Sequence, residues 1–162
     1  MTNVKYPKTW HLSWSRHVET SDRVLSSTAH FENKQVIVTA KLDGESTGFT
    51  NKVCHARSLY SRDHVSRHWV KNLHAQIKYL IPDGYKIFGE NLFAQHSIHY
   101  TNLKSYFFAF NILYGDTFIS WDDFLEWCKK LNLEVVPVLY EGIWDEEKIL
   151  NSLGINTTQK NI

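Results

Sequence analysis

The hydrophobic and polar positions of this chain fall into short β-type runs separated by a few stretches of helical spacing. Trp10, Leu12 and Trp14 alternate with His11 and Ser13, the period of a short half-buried strand. Residues 21–27 begin at Ser21, a side chain suited to capping, and are expected to open a short helix. Residues 36–40 are β-branched and apolar and read as a buried strand, closed by the turn signal Asp43-Gly44. Residues 45–50 are expected to return from that turn as a hairpin partner, and residues 52–58 alternate into a further strand. In residues 64–80, Val65, Trp69, Leu73, Ile77 and Leu80 recur every three or four positions and mark the buried face of a helix, which Pro82 and Gly84 end. Residues 85–92 and 105–114 are strands, and Gly115-Asp116 turns the second into residues 117–119. Ser120 caps a helix carrying Phe124, Leu125, Trp127, Cys128 and Leu131; residues 134–140 form another strand, and residues 145–153 a last helix. The tail, 156–162, carries no pattern.

At 162 residues the length suits one domain with a sizeable core. A net charge of +1 provides no overall basic balance, so any nucleic-acid contact has to come from local clustering. Cys54 and Cys128 stand far apart without metal-ligand spacing, which points to a reduced, intracellular chain. No apolar run is long enough to span a bilayer, and none reads as a signal peptide, so a cytoplasmic protein without membrane contact is expected.

The chemistry-bearing residues stand at strand ends. Lys41 ends the 36–40 run, where partial desolvation would make its amine available as a nucleophile; a surface lysine beside a hairpin turn is the plainer alternative. Asp43, two residues on, points to the same face of an extended chain. Glu90 is a carboxylate on an otherwise apolar strand and needs a partner, either a ligand or an ion pair with Arg57 or Lys41. Gly89 before it would permit a close approach to the backbone. His96 and His99 share a helical face at a spacing of three, but no third ligand joins them, and a polar loop is the better reading. Aromatic residues such as Phe110, in a strand, are most simply core, and the basic residues Arg67, Lys71 and Lys78 are most simply a solvated helix face.

Lys41-Leu42-Asp43-Gly44, then Phe88-Gly89-Glu90, then Tyr106-Phe107-Phe108-Ala109-Phe110-Asn111-Ile112 resemble, in identity and order, the nucleotidyltransferase motifs of ATP-dependent RNA ligases. Ala56-Arg57-Ser58, Gly89-Glu90-Asn91-Leu92, His96-Ser97-Ile98-His99-Tyr100 and Val136-Pro137-Val138-Leu139-Tyr140 look like the bacterial and phage branch of that superfamily, so the resemblance covers roughly residues 9 to 150. It implies an α+β fold of antiparallel β-sheets with covering helices, the covalent nucleotidyltransferase (ligase adenylation domain) fold. Residues 1–162 then form a single adenylyltransferase-like domain, and the nucleotide crevice lies between the sheets near Lys41. Lys41 is implied as the catalytic nucleophile. Leu42, Asp43, Arg57, Glu90 and Phe110 are implied at the nucleotide, with Arg62 a second arginine candidate and Phe110 stacking on adenine. Asp43 and Glu90 are implied at the metal. Asn111 stands where the family has Asp, which removes a charge there but not the stacking. The cofactors implied are ATP and Mg2+, and the partners are broken or nicked RNA ends.

The family's later Glu-Gly-x-Val and Lys-x-Lys segments are not found; Glu141-Gly142-Ile143-Trp144 mimics the first but reads as a turn. The chain therefore looks like the front of the domain, as a shortened gene product or one half of a split enzyme whose C-terminal portion or partner chain supplies the rest. A nucleotide- or RNA-binding module without catalysis and an interaction domain on the same fold are the alternatives.

Overall fold

The computed structural model describes residues 5–16, 18–58 and 62–154. In chain order the first elements are β1 (Trp10–His11), β2 (Arg23–Val24), β3 (Gln35–Thr39), β4 (Glu45–Phe49) and β5 (Cys54–Ala56). Then follow α1 (His68–Ile77), β6 (Tyr85–Asn91), β7 (Phe107–Tyr114) and β8 (Thr117–Phe118). The last are α2 (Trp121–Lys130), β9 (Glu134–Val135), β10 (Val138–Ile143) and α3 (Glu146–Ser152). The chain divides into two compact units, Met1–Tyr6 with Lys41–Val136, and Pro7–Ala40 with Pro137–Ile162.

The first unit is built on a sheet of order β5-β4-β6-β7-β8, antiparallel throughout, with β9 added parallel to β7. One face is the core: Phe49, Ile87, Phe107, Ala109 and Ile112 pack with Val70 and Ile77 of α1 and Phe124 and Cys128 of α2. Since side chains alternate along a strand, Ser46, Gly48, Phe88 and Glu90 point to the other face. α2 starts as its sequence requires. The Ser120 hydroxyl accepts from the Asp123 N–H at 3.1 Å, and Asp122 and Asp123 occupy the first turn, Lys129 and Lys130 the last.

α1 keeps the expected face in its middle, where Ile77 is buried and Trp69 and Leu73 pack against the core, and loses it at the two ends. Val65 and Leu80 are 64 % and 50 % exposed, whereas Val70, His74 and Ile77 are buried. The stretches flanking α1, Val65–Arg67 and Lys78–Leu80, are 3-10 turns, and at three residues per turn they rotate the ends of the apolar stripe away from the core. His74 takes a core position because its Nε2 donates to the Thr50 carbonyl at 2.7 Å, and burial lowers its pKa.

In the second unit β3 is antiparallel to β10, with a register shift between Val138 and Tyr140. The Trp144 N–H donates to the Lys34 carbonyl at 2.8 Å, Phe31 stacks on Trp144, and α3, capped by Asp145, buries Ile149 and Leu150. β1 and β2 form a two-stranded parallel pair.

Several expected elements are thereby corrected. The hairpin across Asp43-Gly44 does not form, because β3 pairs with β10 and β4 pairs with β5 and β6. β3 is half-buried rather than buried. Residues 21–27 hold a two-residue strand in place of a helix. Residues 134–140 are two strands, since Pro137 lacks the N–H that would continue a ladder. Glu141-Gly142-Ile143 is no turn but the end of β10. The tail, 156–162, lies outside the described residues.

Candidate active site

Lys41 begins the longer segment of the first unit and is exposed, so the desolvation expected of it is not what its surroundings supply. The turn it begins is held to β6. The Gly44 N–H donates to Glu90 Oε1 at 3.0 Å, and an ideal Cβ on Gly44 would lie 2.5 Å from the Asn91 carbonyl oxygen and 2.7 Å from Leu92 Cδ2. Only glycine fits this approach. Glu90 is half-buried, and burial raises its pKa; the Gly44 N–H and the charges of Lys41 and His96 oppose that rise. Its Oε2 accepts no hydrogen bond among the described residues, nor is there an ion pair to Arg57 or Lys41 among them.

Asp43 is engaged differently. Its Oδ2 accepts from the Ser97 N–H at 2.9 Å, the Ser97 hydroxyl at 2.6 Å and the Ile98 N–H at 3.0 Å, while its own N–H donates to the Tyr100 hydroxyl at 2.9 Å. These bonds, the Ser97 hydroxyl first, hold the Asp43 carboxyl below the usual carboxylate range.

Phe110 sits at a β-bulge. Phe88 pairs with Asn111 and Gly89 with Ala109, so Phe110 is the extra residue that re-phases the strand. The Tyr6 ring meets Phe110 edge to face at 5.1 Å and Phe88 at 5.2 Å, and Asn111 Nδ2 donates to its hydroxyl at 3.4 Å. Gly89 makes room for a different neighbour than a ligand: the Phe107 ring, on the core face, fills the space a Cβ would need.

Arg57 is exposed and lines a cleft of about 410 Å³ with Lys5, Glu45, Ala56, Ser58 and Arg67. Arg67 grips Glu45 with two bonds, Nε to Oε2 at 2.7 Å and Nη2 to Oε1 at 2.5 Å, and also donates to the Arg62 carbonyl. Arg62 itself is exposed. The structure thus brings Lys41, Leu42, Asp43 and Glu90 together around one turn, sets Phe110 one strand from Glu90, and leaves Arg57 lining the cleft beside Glu45. Sequence reasoning gave no role to Ser97, Tyr100 or Tyr6 and did not foresee the Glu45–Arg67 pair; the first two stood in a segment that resembles the family's and reads as a polar loop. Burial pushes the Cys54 thiol up to about 11 and the Cys128 thiol up to about 12, so neither is a nucleophile at neutral pH. Among the described residues no cluster of three His, Cys, Asp or Glu side chains suits a metal held by protein ligands alone.

The sequence profile of the RNA ligase family matches residues 34–161. This chain belongs to the RNA ligase family. Its fold is similar to that of a Naegleria gruberi RNA ligase solved with pyrophosphate: TM-score 0.58, 21% identity, 75% of this chain and 42% of that chain covered. A mutant of the same ligase solved with ATP and Mn matches with a TM-score of 0.56 and 17% identity, over 76% of this chain and 42% of that one. At these identities the likeness shows the fold, the mixed α and antiparallel β architecture of RNA-ligase nucleotidyltransferases. The chain spans about 42% of the length of these ligases. No curated protein matches this sequence significantly. No helix among the described residues is long and apolar enough to cross a membrane.

Proposed function

We propose that residues 1–162 belong to one adenylyltransferase domain in which Lys41 takes AMP from ATP for the sealing of RNA ends. The observation that carries this reading is the bond between Gly44 and Glu90, which holds the Lys41 turn against the strand carrying the carboxylate. The Lys41 amine, as the free base, attacks the α-phosphorus of ATP; a nitrogen–phosphorus bond forms, the bond to the bridging oxygen breaks, pyrophosphate leaves, and the amine loses a proton. Leu42 and Asp43 fix the turn, Arg57 contacts ribose or phosphate, and Phe110 stacks on the base. The residues that would hold a magnesium ion are Glu90, through Oε2, and Asp43, through the oxygen not given to Ser97. Hard carboxylate oxygens shared with ATP phosphates suit that ion, which when bound would neutralise charge developing on the phosphates. In the later steps the AMP passes to an RNA 5′-phosphate and is released when a 3′-hydroxyl attacks. Repair of broken RNA in the cytoplasm is the role this reading favours.

The test is incubation with α-labelled ATP and Mg2+, following intact mass and label retained after denaturation. An acid-labile AMP adduct on the wild type that is absent from Lys41→Ala supports the reading. ATP binding without an adduct, in this chain and also when it is supplemented with the C-terminal segment of a related ligase, overturns the catalytic role of Lys41.

A further inference from the structure

Asp43 and residues 96–100 are far apart in sequence, yet four hydrogen bonds join them. Three donors converge on one carboxylate oxygen, two of them backbone N–H groups of consecutive residues, an arrangement that fixes the loop's orientation as well as its distance. The fourth bond runs the other way, from the Asp43 N–H to the Tyr100 hydroxyl, so loop and turn hold each other at two points. Gly44, the next residue, is bonded to Glu90, and the 96–100 segment follows β6, the strand that carries Glu90. The Lys41 turn is therefore held from one side by the strand and from the other by the loop that leaves it. His96, at the start of this loop, lies close enough to Glu90 and Asp43 for its charge to act on both.

We propose that Ser97 and Tyr100 are positioning residues for Lys41, clamping the Lys41-Leu42-Asp43-Gly44 turn in the geometry from which the amine reaches the α-phosphorus. This rests on the adenylyltransferase reading and adds to it a part for Ser97 and Tyr100, residues of the 96–100 segment to which the resemblance assigns no role. The requirement is physical: Lys41 is exposed and its side chain has four rotatable bonds, so the direction of attack depends on how firmly its backbone is held. Ser97→Ala removes the shortest of the bonds to Asp43 and leaves the two backbone donors. Tyr100→Phe leaves the Asp43 N–H without its acceptor. Ser97→Thr keeps a hydroxyl.

The experiment measures single-turnover adduct formation and equilibrium ATP binding for wild type, Lys41→Ala, Ser97→Ala, Ser97→Thr and Tyr100→Phe, with amide hydrogen exchange over residues 41–44. A fall of roughly ten- to hundredfold in the rate of adduct formation is expected for Ser97→Ala and Tyr100→Phe, from misplacement of the attacking group. ATP affinity should change less than threefold, Ser97→Thr should recover most of the rate, and exchange should quicken over 41–44 and not across the sheet. Wild-type rates in both variants, or equal losses in rate and ATP affinity with no recovery in Ser97→Thr, would overturn the clamp. If the wild type forms no adduct, the adenylyltransferase reading fails by itself and the exchange data decide: quickening confined to 41–44 supports the clamp, and unchanged exchange overturns it.

Discussion

The N–H of Gly44 donates to Glu90 Oε1 at 3.0 Å, so a residue of the lysine turn is held by a carboxylate 46 positions along the chain. The same carboxylate is half-buried, and burial lifts its pKa above the usual 4.5. The folded protein then keeps the Glu90 proton to higher pH than the unfolded chain does, so this group lowers stability as pH rises through the window above about 4.5. In Glu90→Gln that pH-dependent loss should vanish while the amide oxygen still accepts from Gly44. Urea midpoints of wild type and variant, compared from pH 4.5 to 8, should diverge with the variant the more stable at the upper end. Adduct formation should drop by on the order of 10²-fold, the scale of removing one charged contact to a reacting centre.

Gly89 lies in a segment that resembles a family motif, but its immediate constraint is packing. A Cβ there would meet the Phe107 ring and lie 2.6 Å from the Phe108 carbonyl oxygen, and Phe107 is itself stacked on Phe49 at 4.5 Å. Gly89→Ala is expected to destabilise the fold by about 1–3 kcal/mol, the range of overpacked cores. Adding Phe107→Leu should return part of that stability by freeing the ring's space, while the backbone contact stays. Chemical denaturation of the single and double variants checks this.

What the sequence disclosed was local, and what it hid was long-range. Tyr85–Asn91 and Phe107–Tyr114 were legible because their apolar periods are regular and their ends carry Gly84 and Gly115. The Ser120 cap was legible because capping depends on residues three apart. The partner of β3 was not: β-branched residues specify a strand but not which strand it joins, and β10 lies about a hundred residues further on. The place of His74 on the buried side of α1 was not legible because this residue, polar by composition, is satisfied by a carbonyl that no local pattern reveals. At the site, Lys41 and Glu90 stood out by chemistry, whereas Ser97 and Tyr100 matter through hydrogen bonds to Asp43 that span more than fifty positions.

Arg67 and Glu45 join the start of α1 to the first residue of β4, directly after the lysine turn. The guanidinium fork meets both carboxylate oxygens, a geometry a lysine cannot reproduce. Arg67→Lys should therefore lower stability by about 1 kcal/mol, the order of one charged hydrogen bond lost on a partly buried surface. Arg67→Ala should cost more than Glu45→Gln, since it leaves the carboxylate without either donor. Thermal unfolding of the three variants at low and high salt tests the order, which should persist in salt because both side chains are largely shielded from solvent.

Tyr6 covers the ring to which the base is assigned. It packs edge to face on Phe110 and reaches Phe88 and Phe118 as well, while Asn111 holds its hydroxyl. The two rings are in contact, so a base stacked on the Tyr6 side of Phe110 competes with Tyr6 for apolar surface. Two opposed effects follow. Phe110→Ala should weaken ATP binding by roughly ten- to hundredfold, the equivalent of about 1–3 kcal/mol for one stacked base. Tyr6→Ala should strengthen it, because the base no longer has to displace a half-buried ring and a hydrogen bond. Tyr6→Phe should lie between, having lost only the bond to Asn111. Calorimetric titration with ATP reads all three, and the sign of the Tyr6→Ala change is decisive: weaker binding would make Tyr6 a wall of the base pocket instead of its occupant.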